Sequence, residues 1–205
     1  MKNNTKPTIV FPKGRLYTDL QKLYLSKGII LPDQNNRRYF YDDLFDDCNI
    51  FIAKPKSIPL LLESKLCEFG FVGKDIMINS MCENTTILHD TNLNKIRIVL
   101  ASKTESITIH NKPLIIATEY ENIASNYFTN KGIPHYIINS TGSTEGFINI
   151  GANAIIDVCD TGESLKSNNL LINEILLESS TCLYSHIDIC EGFYPNILQL
   201  LFNNK

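Results

Sequence analysis

The chain has 205 residues, of which 43% are hydrophobic and 20% are charged. This composition can bury a core within one large domain or two small ones, and it excludes a chain that is disordered by composition. The formal net charge of −3 excludes the basic surplus of most proteins that hold nucleic acid, so any phosphate binding must be local.

Apolar runs alternate with helix-like stretches along the sequence, which predicts an α/β fold class. The first half is predicted to contain strands at 8–11, 48–53 and 69–72, and helices at 18–26, 58–64 and 75–81. The second half is predicted to contain strands at 95–103, 114–118, 136–139, 154–158, 172–177 and 182–186, and helices at 121–131, 163–167 and 195–202. Two such runs predict two open-sheet lobes, with 1–93 plus 181–205 in lobe I and 94–180 in lobe II.

The sequence contains no apolar run near the roughly 20 residues of a membrane span. Its first residues do not resemble a signal peptide, so we expect a cytoplasmic protein without membrane association. Six cysteines and four histidines are scattered without a CxxC pair, which favours thiols in a reducing compartment over a structural zinc site.

The loops that follow strands are the places to look for a site, because open α/β sheets bind ligands beyond the carboxyl ends of their strands. In this sequence those loops are 12–16, 53–56, 73–75, 140–145 and 159–165.

The loop at 159–165 is the most informative, because an apolar strand ends in acidic residues and a Thr-Gly turn then opens a helix. Backbone N–H groups in such a turn favour a phosphate dianion. Gly162 permits the tight turn, and the hydroxyls of Thr161 and Ser164 can donate to phosphate oxygens. Asp157 and Asp160 can accept from ribose hydroxyls or steady a Mg²⁺ carried by pyrophosphate. The alternative is an ordinary N-cap on a helix.

Two other loops carry candidate phosphate contacts. Lys13 and Arg15 surround Gly14 after the first strand, and Arg is suited to bidentate phosphate binding. A basic surface turn is the alternative. Gly73 lies at a strand–glycine–helix junction, and Glu145 places a carboxylate beside a flexible turn.

Six segments, taken in order, resemble the ATP phosphoribosyltransferase family, which opens histidine biosynthesis. They are Phe11 to Leu16, Lys54 to Pro59, Gly70 to Asp75, Ala117 to Tyr120, Gly142 to Glu145, and Asp157 to Leu165 followed by Asn169 and Leu170.

The resemblance implies a two-lobed fold like that of type II periplasmic binding proteins. It also implies the reaction: the phosphoribosyl group of phosphoribosyl pyrophosphate passes to N1 of ATP, giving phosphoribosyl-ATP and pyrophosphate. Mg²⁺ would be carried by the pyrophosphate near Asp157, with no metal ligand from the protein.

The resemblance assigns roles to particular residues as well. The implied catalytic residues are Lys13, Arg15, Lys54 and Asp157, the three cations lying on the ATP side in lobe I. The implied substrate-binding residues are Gly73, Glu145, Asp160, Thr161, Gly162, Glu163, Ser164 and Leu165. The loop at 157–165 would hold the ribose and 5-phosphate of the donor.

The chain stops at Lys205, which resembles the short form of the family. The short form works with a regulatory subunit resembling histidyl-tRNA synthetase, so a homo- or hetero-oligomer is implied. Lys54 stands where the family usually has Arg, which keeps the charge and loses bidentate geometry. Either Arg37 or Arg38 would supply the arginine expected from an early β-hairpin.

Two rival functions remain at this stage. The first is a non-catalytic two-lobed protein that binds a nucleotide or phosphate, since solute receptors share the architecture. The second is a phosphoribosyltransferase that uses a free base as its acceptor.

Overall fold

The computed structural model describes residues 6–107 and 112–189, and these residues form two compact units. Among the described residues, unit 1 comprises 6–77, 82–94 and 180–189, and unit 2 comprises 78–81, 95–107 and 112–179. Each unit combines strands and helices, so the predicted α/β class is confirmed.

Unit 1 contains four whole strands, parts of two further strands, and the helices between them. They are β1 (Thr8–Pro12), α1 (Arg15–Leu25), β2 (Phe40–Tyr41), β3 (Asn49–Ala53), a 3-10 turn (Pro55–Ser57), α2 (Ile58–Glu63), β4 (Phe69–Gly73) and the start of α3 (Lys74–Ser80), with parts of β5 (Thr85–Ser102) and β9 (Leu171–His186). Strand order is β2-β3-β1-β4-β9. Because β1 is parallel to both β3 and β4, these three strands end at one edge of the sheet.

The core of unit 1 is aromatic. Phe11 of β1 packs against Phe71 of β4 with ring centroids 5.0 Å apart, and it meets the edges of Tyr17 and Tyr24 from α1. All four rings are fully buried. On the other face of the sheet α2 packs so closely that a Cβ at Gly70 would lie 2.6 Å from Cγ2 of Ile58. Gly70 is therefore required by packing.

Unit 2 contains the remaining strands and helices. They are the C-terminal part of β5, β6 (Leu114–Thr118), α4 (Glu121–Asn130), β7 (His135–Asn139), a 3-10 helix (Thr144–Ile150), β8 (Ala154–Cys159), α5 (Glu163–Ser167) and the N-terminal part of β9. Strand order is β5-β8-β6-β7, with β6 parallel to both β7 and β8. Phe128 and Ala124 of α4 close one face of this sheet, and Leu165 of α5 closes the other.

The predicted strand boundaries were wrong in two places. β5 begins at Thr85 and not at residue 95, and β9 is one continuous strand where two were predicted at 172–177 and 182–186. The polar residues that suggested loops are satisfied by side-chain hydrogen bonds, as when Ser180 Oγ donates to Asp90 Oδ1 at 2.7 Å.

Helix α1 also starts earlier than predicted, at Arg15. The helix predicted at 195–202 lies outside the described residues. Within 6–107 and 112–189, none of the helices has the length and hydropathy that crossing a membrane would require.

Candidate active site

Three parallel strands of unit 2 end together and gather polar residues at one edge. In the register of the sheet, Thr118 of β6 lies beside Asn139 of β7 and beside Ile156 of β8. Glu119 follows β6, the segment 140–145 follows β7, and Asp160 follows β8. This is the edge at which open parallel sheets bind ligands.

The turn between β8 and α5 is built around Gly162. Its φ of 84° and ψ of 4° lie in the left-handed region, where only glycine is unstrained. A Cβ at Gly162 would lie 3.7 Å from Cys159 Sγ, so there is room for a side chain here. It is the backbone conformation that requires glycine. The Thr161 hydroxyl accepts a hydrogen bond from the Glu163 N–H at 3.4 Å. The glycine turn thus lies at the predicted position, between the end of β8 and the start of α5.

The residues of this turn divide into exposed and buried members. Asp160, Thr161, Glu163 and Ser164 are exposed, as a ligand-binding turn requires. Leu165 is buried among the apolar side chains that fill this face of the sheet. Its side chain anchors α5, so only its backbone can meet a substrate.

Asp157 lies half-buried near the end of β8, close to other carboxylates. Burial raises the pKa of Asp157, whereas hydrogen bonds from the Val158 N–H and the Thr144 side chain lower it. The charges of Glu145 and Glu119 raise it further, and the net shift is upward. The edge therefore carries an excess of negative charge.

Glu145 is placed against the turn after β8. Its carboxylate accepts a hydrogen bond from the Ser164 hydroxyl, which joins the segment after β7 to the first turn of α5. The structure thus brings together, at one edge of unit 2, all of the predicted site residues that belong to this unit. Whether they bind the donor remains a prediction.

A cavity of about 540 Å³ borders the same turn. Gly162 and Leu165 line it together with Lys103 and Lys166. Lys103 Nζ donates to Asn149 Oδ1 at 2.9 Å. These two lysines were not singled out in the sequence, because neither stands in a glycine-containing loop.

In unit 1, β1, β3 and β4 also end together. Lys13 and Arg15 follow β1, Lys54 follows β3, and Gly73 is the last residue of β4. The Lys13 N–H donates to Ala53 O at 2.7 Å, and its Nζ lies 3.9 Å from the centroid of the Tyr39 ring. The predicted site residues of unit 1 thus share one edge, to which the lysines and Arg15 bring positive charge.

Gly73 precedes a lysine that is already paired. Lys74 Nζ lies 2.7 Å from Asp90 Oδ2, and Ser180 donates to the other oxygen of Asp90. Burial raises the pKa of Asp90, but hydrogen bonds from Lys74, the Asn92 N–H and Ser180 outweigh it and hold that pKa well below its usual range. Lys74 therefore serves the architecture of unit 1.

Arg37 and Arg38 differ in their surroundings. Arg38 donates to both carboxylate oxygens of Asp43, at 3.0 and 2.6 Å, and to Asp42 at 3.1 Å. Its Nε donates to Phe40 O at 2.9 Å. Arg37 is exposed and forms no ion pair with any residue in the described ranges. Arg37 is thus the better candidate for a substrate contact.

Within the described ranges, no three His, Cys, Asp or Glu side chains are arranged to hold a metal ion. The carboxylates at the edge of unit 2 can instead attract a cation that arrives bound to a substrate.

The fold is that of the periplasmic binding proteins. A solved Candida albicans protein, described as having the generic periplasmic binding protein fold, aligns with a TM-score of 0.52 at 12% identity, covering 96% of this chain and 69% of that chain. The predicted fold class is confirmed.

Closer similarity identifies the family within this class. A chain of the ATP phosphoribosyl transferase (HisG:HisZ) complex from Thermotoga maritima aligns with a TM-score of 0.81 at 24% identity, covering 95% of this chain and 94% of that chain. The ATP phosphoribosyltransferase of Methanopyrus kandleri is 34% identical over 190 residues, which are 90% of this chain and 67% of that protein. The model of the HisG family, ATP phosphoribosyltransferase, matches residues 54–202. The chain belongs to the ATP phosphoribosyltransferase family.

Proposed function

We propose that this chain is an enzyme that transfers the phosphoribosyl group of phosphoribosyl pyrophosphate to N1 of ATP. The products are phosphoribosyl-ATP and pyrophosphate, and the reaction is the first step of histidine biosynthesis. The observation that carries the proposal is the family match over 54–202, a range that contains the whole polar edge of unit 2.

The donor would bind at the turn between β8 and α5. Backbone N–H groups of 160–165 are proposed to hold its 5-phosphate, with Thr161 and Ser164 adding hydroxyl donors. Asp157 is proposed to accept hydrogen bonds from the ribose hydroxyls, because its carboxylate lies at the same edge, just before this turn.

The negative charge around Asp157 favours a donor that arrives as a magnesium complex. Glu145 and Glu119 both act on Asp157 electrostatically, so a bare pyrophosphate would be repelled. We propose that Mg²⁺ is carried by the pyrophosphate and neutralises part of its charge. No residue of the chain is assigned as its ligand.

In the reaction N1 of ATP forms a bond to C1 of the ribose, and the C1–O bond to pyrophosphate breaks with the electron pair leaving on oxygen. Negative charge therefore grows on the leaving group, and positive charge grows on the ribose. Lys13, Arg15 and Lys54 are proposed to stabilise the pyrophosphate and the phosphates of ATP. The rest of the rate enhancement is proposed to come from the alignment of the two bound substrates.

The Thermotoga maritima relative was solved as a HisG:HisZ complex. We propose that this chain also works with a regulatory subunit, one resembling histidyl-tRNA synthetase, in an oligomer. We place the reaction in the cytoplasm, where ATP is made and consumed.

The test is an assay of the purified chain with ATP, phosphoribosyl pyrophosphate and Mg²⁺, with and without the regulatory subunit. Mass spectrometry should detect phosphoribosyl-ATP together with equimolar pyrophosphate. Leaving out ATP, phosphoribosyl pyrophosphate or Mg²⁺ should abolish both products. Asp157→Asn is the matched control. Binding of the donor without product would support a non-catalytic binding protein, and product formed only with adenine, hypoxanthine or orotate would support a free-base transferase.

A further inference from the structure

Arg97 brings a positive charge to the edge of unit 2 where the donor is proposed to bind. Strand β5 runs antiparallel to β8, and Arg97 lies directly opposite Cys159, the last residue of β8. Because of this register, Arg97 stands at the edge where β8 and its parallel neighbour β6 both end. The turn at 160–165 starts from the same edge.

The side chain of Arg97 projects from the face of the sheet that α5 covers. Residues that stand opposite each other on paired strands project to the same face, so Arg97 shares its face with Cys159. Val99 is the next residue of β5 on this face, and it belongs to one buried apolar cluster with Cys159 and Leu165 of α5. Arg97 therefore lies next to the cluster on which the turn rests.

The guanidinium and the glycine of the turn both lie close to one sulfur atom. Nη2 of Arg97 donates to Cys159 Sγ at 3.6 Å, and a Cβ at Gly162 would lie 3.7 Å from the same sulfur. The charged end of Arg97 is thus a near neighbour of the turn. A small change in its side-chain torsions can bring it to a phosphate held there.

Most of the hydrogen-bonding capacity of this guanidinium is unused. It has five N–H donors, but within 6–107 and 112–189 its single hydrogen bond goes to a thiol, which is a weak acceptor. In the same ranges Arg97 forms no ion pair, although its side chain is partly buried. A partly buried charge without a counter-ion is costly, so an anion that reaches Arg97 gains a contact that the fold leaves unmade.

A phosphate dianion matches both the geometry and the charge of this position. The planar fork of an arginine can donate two parallel N–H groups to two phosphate oxygens. The other groups proposed for the 5-phosphate are neutral, namely the backbone of 160–165 and the hydroxyls of Thr161 and Ser164. A cation beside them supplies positive charge and offsets the repulsion from Glu145, whose carboxylate accepts from Ser164.

We propose that Arg97 is a further substrate-binding residue, which donates to the 5-phosphate of phosphoribosyl pyrophosphate held in the turn at 160–165. When the donor binds, the guanidinium exchanges its weak thiol acceptor for phosphate oxygens. The inference rests on the proposed function, and it adds a charged group of unit 2 to the site of the 5-phosphate.

Calorimetric titration with ribose 5-phosphate tests this contact, because the probe carries the 5-phosphate and lacks the pyrophosphate. Arg97→Met removes the charge and keeps a long side chain, so it should weaken binding about 10- to 100-fold. Arg97→Lys keeps the charge without the fork and should lose about 3- to 10-fold. The matched control is Lys112→Met, which removes one exposed charge before β6, at the opposite edge of the sheet. It should stay within about 2-fold of wild type.

Cys159→Ala separates a direct contact from support of the turn. It removes the sulfur that Arg97 contacts and leaves the guanidinium, so binding of ribose 5-phosphate should stay within about 3-fold of wild type. A loss as large as that of Arg97→Met would mean that Arg97 acts by holding Cys159, and it would overturn the proposal. An Arg97→Met variant that loses affinity for inorganic pyrophosphate and keeps it for ribose 5-phosphate would overturn the proposal as well.

Steady-state kinetics distinguish failure of this inference from failure of the proposed function. Arg97→Met should raise KM for phosphoribosyl pyrophosphate about 10-fold and leave KM for ATP within about 2-fold. Wild-type protein that neither binds nor consumes the donor would overturn the proposed function and this inference with it. Normal wild-type turnover with unaffected Arg97→Met kinetics would overturn this inference alone. If thermal melts show that Arg97→Met is unfolded, Arg97→Lys decides by the same criteria.

Discussion

The carboxylate of Glu145 accepts a hydrogen bond from the hydroxyl of Ser164, and so lies against the turn proposed to bind a phosphate. A phosphate dianion that uses the same hydroxyl has to displace this carboxylate. The carboxylate of Glu145 thus competes with the ligand for the Ser164 hydroxyl.

The first prediction follows from this competition. Glu145→Gln removes the negative charge, so binding of ribose 5-phosphate should tighten about 2- to 5-fold, in proportion to an exposed charge interaction. Isothermal titration calorimetry measures the change. In a Ser164→Ala background the gain should shrink, because the contested hydroxyl is gone. Unchanged binding by Glu145→Gln would show that the carboxylate does not compete with the ligand, and weaker binding would show that it helps the ligand.

The second prediction concerns the left-handed conformation of Gly162. Gly162→Val should reduce turnover more than 100-fold, because a side chain strains this φ by about 1–2 kcal/mol and moves the N–H groups of the turn. Gly132, with φ of 66° after α4, is the matched control. Gly132→Val should lose a similar amount of stability in thermal melts and keep its activity. A Gly162→Val enzyme with wild-type kinetics would reject the phosphate turn.

The third prediction separates the two adjacent arginines. Arg38 already donates to Asp42, Asp43 and Phe40 O, so Arg38→Ala should leave KM for both substrates within about 3-fold. Arg37→Ala should raise KM for ATP or for the donor about 10-fold, as expected from losing a charge-assisted hydrogen bond. The reverse ranking in steady-state kinetics would assign the contact to Arg38.

The fourth prediction concerns acid stability. Asp90 is paired with Lys74 and its pKa is lowered on folding, so it stabilises the fold above its unfolded pKa of about 4 and loses this effect as pH falls below that value. Asp90→Asn should cost about 1–3 kcal/mol at pH 7 in urea unfolding. The difference from wild type should shrink at pH 3. A difference independent of pH would mean that the charge of Asp90 is not what stabilises the fold.

The sequence was most informative where an apolar strand runs into a turn. The strand at 154–158 and the helix at 163–167 were predicted almost to the residue, because Gly162 and the acids before it mark the junction sharply. The fold class and the family followed from the order of such junctions.

The polar halves of β5 and β9 could not be predicted in the same way. Asn92 and Asn94 have left-handed φ values and suggest a turn, yet the strand passes through them. Its polar groups are satisfied by partners far along the chain, as when Thr91 Oγ1 donates to Thr181 O at 2.6 Å. Periodicity in a short window cannot detect a partner at that separation.

The burial of Thr144 could not be predicted from the sequence for a related reason. In the sequence it is one of several small polar residues in 140–145, and nothing distinguishes it from Ser143. Only the fold shows that Thr144 is buried while Ser143 is exposed.

The pairing of β4 with β9 cannot form on the ribosome until nearly the whole chain has been translated. Residues Phe69–Gly73 pair with Ser185 back to Thr181, and all of unit 2 is translated in between. The nascent chain must therefore carry one open strand edge in its first-made half, beside the apolar side chain of Phe71. We expect the nascent chain to depend most on chaperones during this interval. Slow translation of 95–179 should lengthen the time for which the strand edge is exposed.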